Sequence, residues 1–266
     1  MPTAYDIILQ RLLAAYRHGY RLVLVFDYDG TLTPIVAHPG LARIYPALRD
    51  VLARLAAEPR ITIGVISGRS LDDVIGMVGL PGLCYAGSTG LELALGQERD
   101  LPAEALENRA LLHSLIAALE SRRSAYPGMW VEKKPFGFTV HYRQVAAESV
   151  ERLRIETMAL LVPHTTILHV LDGPLAIEVT PAIGRDKGTA LRAIVNHGGP
   201  EPATVLYAGD SANDAPALAV ATELGGIALG IGPEPPAEAT RHLADPVALS
   251  QLLAALALTI LSHTTA

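Results

Sequence analysis

Short, wholly apolar runs alternate with amphipathic stretches over the first hundred residues. Leu22-Val23-Leu24-Val25-Phe26 and Ile61-Thr62-Ile63-Gly64-Val65-Ile66 read as buried strands of a parallel sheet, and 83–86 as a shorter one. Apolar residues three and four apart, as in Ile8-Leu9-x-x-Leu12-Leu13, predict helices near 4–18 and 46–57, with a third opening at Ser70. This is the rhythm of a parallel sheet wrapped by helices.

After residue 100 the pattern changes. One long helix is predicted over 103–125, two strands over 130–143 around Pro135-Phe136-Gly137, and a helix over 146–161. A second hairpin follows over 166–180 around Asp172-Gly173-Pro174. Helix, hairpin, helix, hairpin describes a separate antiparallel α+β layer. The parallel rhythm returns after Gly184, with a helix from Lys187, a strand at 204–208, a helix after Asn213 and a strand at 226–229. The simplest organisation is a discontinuous α/β core of 1–100 plus 184–266, with an inserted cap of 101–183. A cap above the strand ends would cover the ligand crevice of an open sheet. The crossings near 95–101 and 180–184 are then hinges or plain turns; Gly96 and Pro181-Ala182-Ile183-Gly184 suit either.

Composition narrows the class. Half of the 266 residues are hydrophobic, which excludes a disordered chain. The formal net charge is −6 and no Lys/Arg run exceeds a pair, so no nucleic-acid partner is expected. Cys84 is the only cysteine, which rules out an intrachain disulfide and suggests core packing. The N-terminus has no basic region ahead of an apolar signal stretch, and the apolar stretch at 252–261 is too short to span a bilayer. A soluble cytoplasmic protein without a membrane partner is expected, with a monomer as the simplest state.

The candidate chemistry gathers where strands end. Asp27-Tyr28-Asp29-Gly30-Thr31 follows the first strand directly, and two carboxylates so close to an apolar strand end are costly without a cation. The pair can bind Mg²⁺ and divide the roles of nucleophile and proton carrier; an acidic turn is the plainer alternative. Ser67-Gly68-Arg69 follows the second strand and fits either a phosphate cradle or a helix cap. Lys187 opens a helix, where it can neutralise a phosphoryl group or lie solvated on the surface. Gly209-Asp210-Ser211-Ala212-Asn213-Asp214 supplies two more carboxylates, or simply a capped helix start. In a parallel sheet all these strand ends share one edge, and together they suit metal-assisted phosphoryl transfer.

In that order, Asp27-x-Asp29-Gly30-Thr31, Ser67-Gly68-Arg69, Lys187 and Gly209-Asp210-x-x-Asn213-Asp214 resemble the four motifs of haloacid-dehalogenase (HAD) superfamily phosphatases. The resemblance implies a Rossmann-like parallel-sheet core with an inserted α+β cap. It implies that Asp27 attacks phosphorus to form an aspartyl-phosphate, and that Asp29 protonates the leaving oxygen and later activates water. Mg²⁺ would rest on Asp27, the Asp29 carbonyl and Asp210, with Asp214 as a ligand or a partner beside it. Ser67 and Lys187 would hold phosphoryl oxygens, Lys187 would orient Asp27, and Arg69 would join the substrate-binding residues.

The predicted cap carries polar residues at strand spacing. Period two sets Glu132 and Lys134 on one face of their strand, His141 and Arg143 together on theirs, and Glu178 opposite Ile177 and Val179. Such residues can hydrogen-bond sugar hydroxyls or merely form cross-strand ion pairs. Five segments of the chain are similar to trehalose-6-phosphate phosphatases: Asp27 to Ile35, Ala86-Gly87-x-x-Gly90-Leu91-Glu92, Val131-Glu132-x-Lys134, Val140-His141-Tyr142-Arg143, and Ile177-Glu178-Val179-x-Pro181. That similarity implies that Glu132, Lys134, Arg143 and Glu178 contact a disaccharide phosphate, with Gly87 and Gly90 shaping the pocket. Two segments depart from the family. Gly87-Ser88-Thr89-Gly90 lacks a histidine often found before the second glycine. Asp210-Ser211-Ala212-Asn213-Asp214-Ala215 stands where the family often has an Asp-x-Thr-Asp-Glu form, and its asparagine version is commoner in other sugar phosphatases. Glucosylglycerol phosphate and glucosylglycerate phosphate are therefore alternative substrates. A non-catalytic sugar-phosphate-binding regulator is a further reading, which the intact Asp27/Asp29 pair opposes.

Overall fold

The computed structural model describes residues 2–36, 38–173, 175–199 and 201–262. The chain divides into two compact units, one of residues 1–100 and 186–266 and the other of residues 101–185. In chain order the first unit opens with α1 (Ala4–Arg17), β1 (Arg21–Phe26), α2 (Pro46–Ala56), β2 (Ile61–Ile66) and α3 (Leu71–Val78). It continues with β3 (Cys84–Gly87), β4 (Glu92–Leu95) and β5 (Glu98–Asp100). The second unit supplies α4 (Glu104–Glu107), α5 (Arg109–Glu120), β6 (Trp130–Lys134), β7 (Gly137–His141), α6 (Ala147–Leu161), β8 (Leu168–Asp172) and β9 (Ala176–Pro181). The first unit then resumes with α7 (Lys187–His197), β10 (Ala203–Gly209), α8 (Ala215–Glu223), β11 (Ile227–Ile231), β12 (Arg241–Leu243) and α9 (Pro246–Ser262).

The first unit's sheet runs β12-β11-β10-β1-β2-β3-β4-β5. The strands from β12 to β3 pair in parallel, whereas β4 and β5 are antiparallel additions at one edge. That edge was not foreseen, because the exposed Glu98–Asp100 carries no apolar alternation for a pattern to register. Both faces of the central strands are buried, as their unbroken apolar runs require. On β1, Leu22, Leu24 and Phe26 join one core cluster, which includes residues of α1, α2, α3 and α9. Val23 and Val25 join a second cluster with α7 and α8.

β1 lies between β10 and β2, and Phe26 stands level with Ala208 on one side and Val65 on the other. The residues that follow Phe26, Ile66 and Gly209 therefore leave the sheet side by side, where the strand order reverses. This register is what brings three separate segments of the chain to one place.

In the second unit the predicted 103–125 helix is broken into α4 and α5, with a further turn at Arg123–Ala125. The strands form an antiparallel sheet in the order β6-β7-β9-β8. One sheet face carries Val131, Phe138, Val140, Ile177 and Val179. These pack with Leu112, Leu115, Ile116 and Leu119, which are spaced as one stripe of α5. Pro174, predicted at the turn of the second hairpin, lies outside the described residues. Among the described residues no helix is long and apolar enough to cross a membrane.

Phe138 is fully buried at the middle of this second core. Phe138→Ala is expected to cost about 3–5 kcal/mol of the stability of that unit, read as a fall in the urea midpoint.

Candidate active site

Gly30 makes the first turn possible. After β1 the chain folds back so that the Leu32 and Thr33 amides both donate to the Tyr28 carbonyl at 3.0 Å, and the Gly30 amide donates to the Thr33 carbonyl at 2.8 Å. Gly30 has φ +85°, and a Cβ there would stand 2.2 Å from an oxygen of Asp210. The turn brings Asp27, at the end of the central strand, together with Asp210 at the end of β10. The Thr31 hydroxyl donates to Asp210 Oδ1 at 3.3 Å.

Lys187 opens α7 directly after Asp186, whose carboxylate accepts the Thr189 amide in a capping box. The surface position weighed from sequence is not where the structure puts it: Lys187 is 1% exposed. Its Nζ donates to Asp27 Oδ1 and to Asp214 Oδ1, each at 2.7 Å. Burial alone would lower the affinity of this ammonium for its proton, but the carboxylates of Asp214 and Asp27 outweigh that and raise it. The lysine is held charged.

Asp214 is enclosed on every side. Oδ1 also accepts the Tyr207 hydroxyl at 2.6 Å, while Oδ2 accepts the amides of Asp210 at 3.1 Å and Ser211 at 3.0 Å. A carboxylate so fully occupied organises its neighbours, and the lone pairs free for a cation lie on Asp27 and Asp210. Oxygens of Asp27, Asp210 and Asp214 all lie within 4.8 Å of one another, a cluster that could hold a metal ion. Three carboxylates facing one ammonium leave two negative charges uncompensated. Burial, with the neighbouring Asp214 charge, pushes the Asp210 carboxyl up to about 6. The Asp27 carboxyl is also raised by burial, against the opposing pull of Lys187.

The second and third strand ends form a linked pair of loops. Ser67 is buried, and its Oγ accepts the Arg69 amide at 3.2 Å. The Ser88 amide donates to the Arg69 carbonyl at 2.6 Å, and the Thr89 amide to the Ser67 carbonyl at 3.0 Å. To reach both carbonyls, Ser88 and Thr89 take φ of +48° and +60°, a left-handed conformation unusual for residues with side chains. Glu92 braces the turn by accepting the Ser88 hydroxyl at 2.6 Å and the Leu71 amide at 3.2 Å. Gly87 and Gly90 lie against backbone: a Cβ would come within 2.2 Å of the Leu71 amide nitrogen and of the Asp186 carbonyl oxygen, respectively. Arg69 extends to Asp29, with Nε to Oδ2 at 2.7 Å and the terminal nitrogen to Oδ1 at 2.6 Å.

In the second unit, Glu132, Lys134 and Glu178 lie on the sheet face opposite its core, as period two predicts. Lys134 Nζ donates to Glu178 Oε1 at 2.6 Å, and His141 Nε2 lies 2.8 Å from Glu132 Oε2. The Trp130 and His141 rings stack with centroids 4.1 Å apart. Arg143 does not share that face with His141 by strand period. β7 ends at His141, and Arg143 stands exposed in a turn closed by the Val145 amide on the Tyr142 carbonyl at 3.1 Å. Sequence reasoning also left Tyr207 and Tyr28 without roles. The signals available were a phenol inside the otherwise apolar β10 for Tyr207, and a phenol between two carboxylates for Tyr28. Cys84 is buried with its thiol pushed up to about 11 by desolvation, so it is inert packing.

A family model described as trehalose-phosphatase matches residues 25–241, a span containing Asp27, Asp29, Ser67, Lys187, Asp210 and Asp214. The trehalose-phosphate phosphatase of Mycobacterium bovis is 37% identical over 202 residues, covering 73% of this chain and 50% of that protein. The chain thus spans about half the length of the curated relatives it matches. The C-terminal domain of C. albicans trehalose-6-phosphate phosphatase superposes with a TM-score of 0.82 at 24% identity, covering 94% of this chain and 96% of that one. An Aspergillus fumigatus trehalose-6-phosphate phosphatase gives a TM-score of 0.66 at 26% identity over 94% and 97% of the two chains. The fold is the α/β, HAD-type fold of those structures. Within that class, the chain belongs to the trehalose-phosphatase family.

The raised Asp210 carboxyl makes a stability prediction. Its folded value, about 6, exceeds the ordinary 3.8, so the unfolded chain gives up this proton first. Stability from this group is present below about pH 4 and lost as pH rises to about 6. In chelator at pH 7, Asp210→Asn should therefore raise Tm by roughly 2–4 °C, with the gain vanishing near pH 4 in calorimetric scans.

Proposed function

We propose that this chain is a Mg²⁺-dependent phosphatase that converts trehalose 6-phosphate to trehalose and phosphate. The observation that carries the proposal is the buried Lys187 ammonium between Asp27 and Asp214, with Asp210 beside them and two negative charges left over. All the donors on offer are hard oxygens, which suits Mg²⁺. Asp27, Asp210 and the Asp29 carbonyl would hold the ion, which when bound neutralises charge between carboxylate and phosphate.

Asp27 is the nucleophile. Lys187 fixes its Oδ1 and leaves Oδ2 to attack phosphorus, breaking the ester bond as the aspartyl-phosphate forms. Lys187 keeps a third N–H, which with the Ser67 hydroxyl can hold phosphoryl oxygens. Asp29 gives its proton to the departing sugar oxygen, then takes one from the water that releases phosphate from Asp27. The Asp27-Tyr28-Asp29 turn supports this division, since one carboxylate is buried and the other is 42% exposed.

The polar face of the second unit is assigned to the sugar. Glu132, Lys134 and Glu178 offer donors and acceptors. Thr139, level with Glu132 and Glu178, is buried with no hydrogen-bond partner for its hydroxyl among the described residues. Such a hydroxyl keeps hydrogen-bonding capacity that its neighbours do not use. Arg143 is retained as a contact to sugar hydroxyls, and Gly87 and Gly90 as shapers of the phosphate pocket.

Asp27→Asn should abolish turnover while leaving the thermal transition in place; wild-type phosphate release in that variant would refute the mechanism. Phosphate release measured with Mg²⁺ and with chelator, across trehalose 6-phosphate, glucosylglycerol phosphate, glucosylglycerate phosphate and glucose 6-phosphate, tests the substrate. Activity should need Mg²⁺ and fall steeply away from trehalose 6-phosphate, and equal turnover of all four would sink that assignment. Glu178→Ala should raise KM for trehalose 6-phosphate about tenfold or more, consistent with loss of a charged hydrogen bond.

A further inference from the structure

We propose that Arg69 is a positioning residue for Asp29 and not a ligand of the substrate phosphate. The inference rests on the reading of Asp29 as the proton carrier.

Three observations converge on it. First, the guanidinium meets the Asp29 carboxylate as a fork, Nε to Oδ2 at 2.7 Å and the terminal nitrogen to Oδ1 at 2.6 Å. Two parallel bonds set the plane of a carboxylate as well as its place, which a lysine's single ammonium cannot do. Second, Arg69 is itself supported. Its side chain is 10% exposed, its guanidinium carbon lies 5.5 Å from the centre of the buried Tyr28 ring, and its carbonyl accepts the Ser88 amide at 2.6 Å. The two residues that pin this loop, Ser88 and Thr89, hold left-handed backbone that costs energy unless it is used. Third, the need is specific to Asp29. Asp27 is buried and fixed by Lys187, whereas the Asp29 side chain is 42% exposed and would otherwise rotate.

A carboxylate that must meet a leaving oxygen and then a water gains most from being held in one orientation. The fork takes one lone pair of each oxygen, so an oxygen can face the substrate through its other lone pair while both bonds to the guanidinium stand. Tyr28 thereby acquires a function in the Asp-Tyr-Asp segment, as the floor under the arginine. The strained Ser88-Thr89 turn becomes the outer support of the same carboxylate.

The test is a double-mutant cycle in Mg²⁺-containing buffer, with trehalose 6-phosphate as substrate. Wild type, Arg69→Ala, Asp29→Asn and the double variant are compared for kcat, for inhibition by inorganic phosphate, and for Tm. Arg69→Ala should lower kcat by about 10²-fold, within the range of acid–base contributions. The inhibition constant for phosphate should stay within about threefold of wild type. The double variant should be no slower than Asp29→Asn alone, because a residue acting through Asp29 has nothing to act on once it is gone. Arg69→Lys, which keeps the charge without the fork, should stay near Arg69→Ala.

Several results would overturn the inference: a double variant slower than Asp29→Asn by the full Arg69→Ala factor, a weakened phosphate inhibition with kcat intact, or wild-type kcat in Arg69→Lys. A fall in Tm that tracks the kcat losses would reassign Arg69 to loop stability and overturn it too. If Asp29→Asn retains wild-type kcat, the proton-carrier reading itself fails, a result distinct from failure of the cycle.

Discussion

A single buried ammonium holds this site together. Lys187 lies between Asp27 and Asp214 with almost no exposure, and each carboxylate is within 2.7 Å. Removing the ammonium would leave two carboxylates facing each other away from water, which costs far more than either pair contributes. The ammonium also couples parts of the chain that are distant in sequence: the end of β1, the start of α7 and the start of α8. Local stability and chemistry are therefore in tension. A third carboxylate, Asp210, is added where one cation already serves two anions, and its raised proton affinity records the strain. Proteins tolerate such conflicts where function needs them.

Around that centre the supports are ordinary structural devices placed at special points. Tyr207 and two backbone amides occupy Asp214, so it organises the lysine and the helix start together. Gly30 and Gly90 let backbone and carboxylate approach where a side chain would clash. The Ser88-Thr89 turn is held in left-handed backbone, and its amides reach the carbonyls of Arg69 and Ser67. With Glu92 beneath it, this turn braces the loop that follows β2.

The second unit is built on a different principle. Its antiparallel sheet buries one face in an apolar core and leaves the other polar, with Glu132, Lys134, His141 and Glu178 paired across strands. The Lys134–Glu178 and His141–Glu132 pairs, at 2.6 and 2.8 Å, are partly covered. The hydroxyl of Thr139 in their midst has no hydrogen-bond partner among the described residues.

Much of this was legible in the residues themselves. The apolar runs announced β1, β2 and β10, because a strand buried on both faces has no polar alternation to confuse. The motif residues Asp27, Ser67 and Asp210 stood at their ends, because strand ends are where a parallel sheet exposes backbone to a ligand, and Lys187 stood at the start of a helix. Period two placed Glu132 with Lys134 on one face of their strand and Glu178 opposite Ile177 and Val179 for an equally local reason, and the register of β6, β7 and β9 joined them on one sheet face. It failed for Arg143, since the strand stopped two residues short. Only the tertiary structure decided that Lys187 is buried and not solvated, that Asp214 is saturated by hydrogen bonds, and that Arg69 turns to Asp29. It alone gave Tyr28 and Tyr207 neighbours to serve. These are matters of distance between segments up to 160 residues apart. Sequence pattern reports the period and the ends of each element, whereas charge neutralisation and hydrogen-bond saturation depend on which ends the packed sheet brings together.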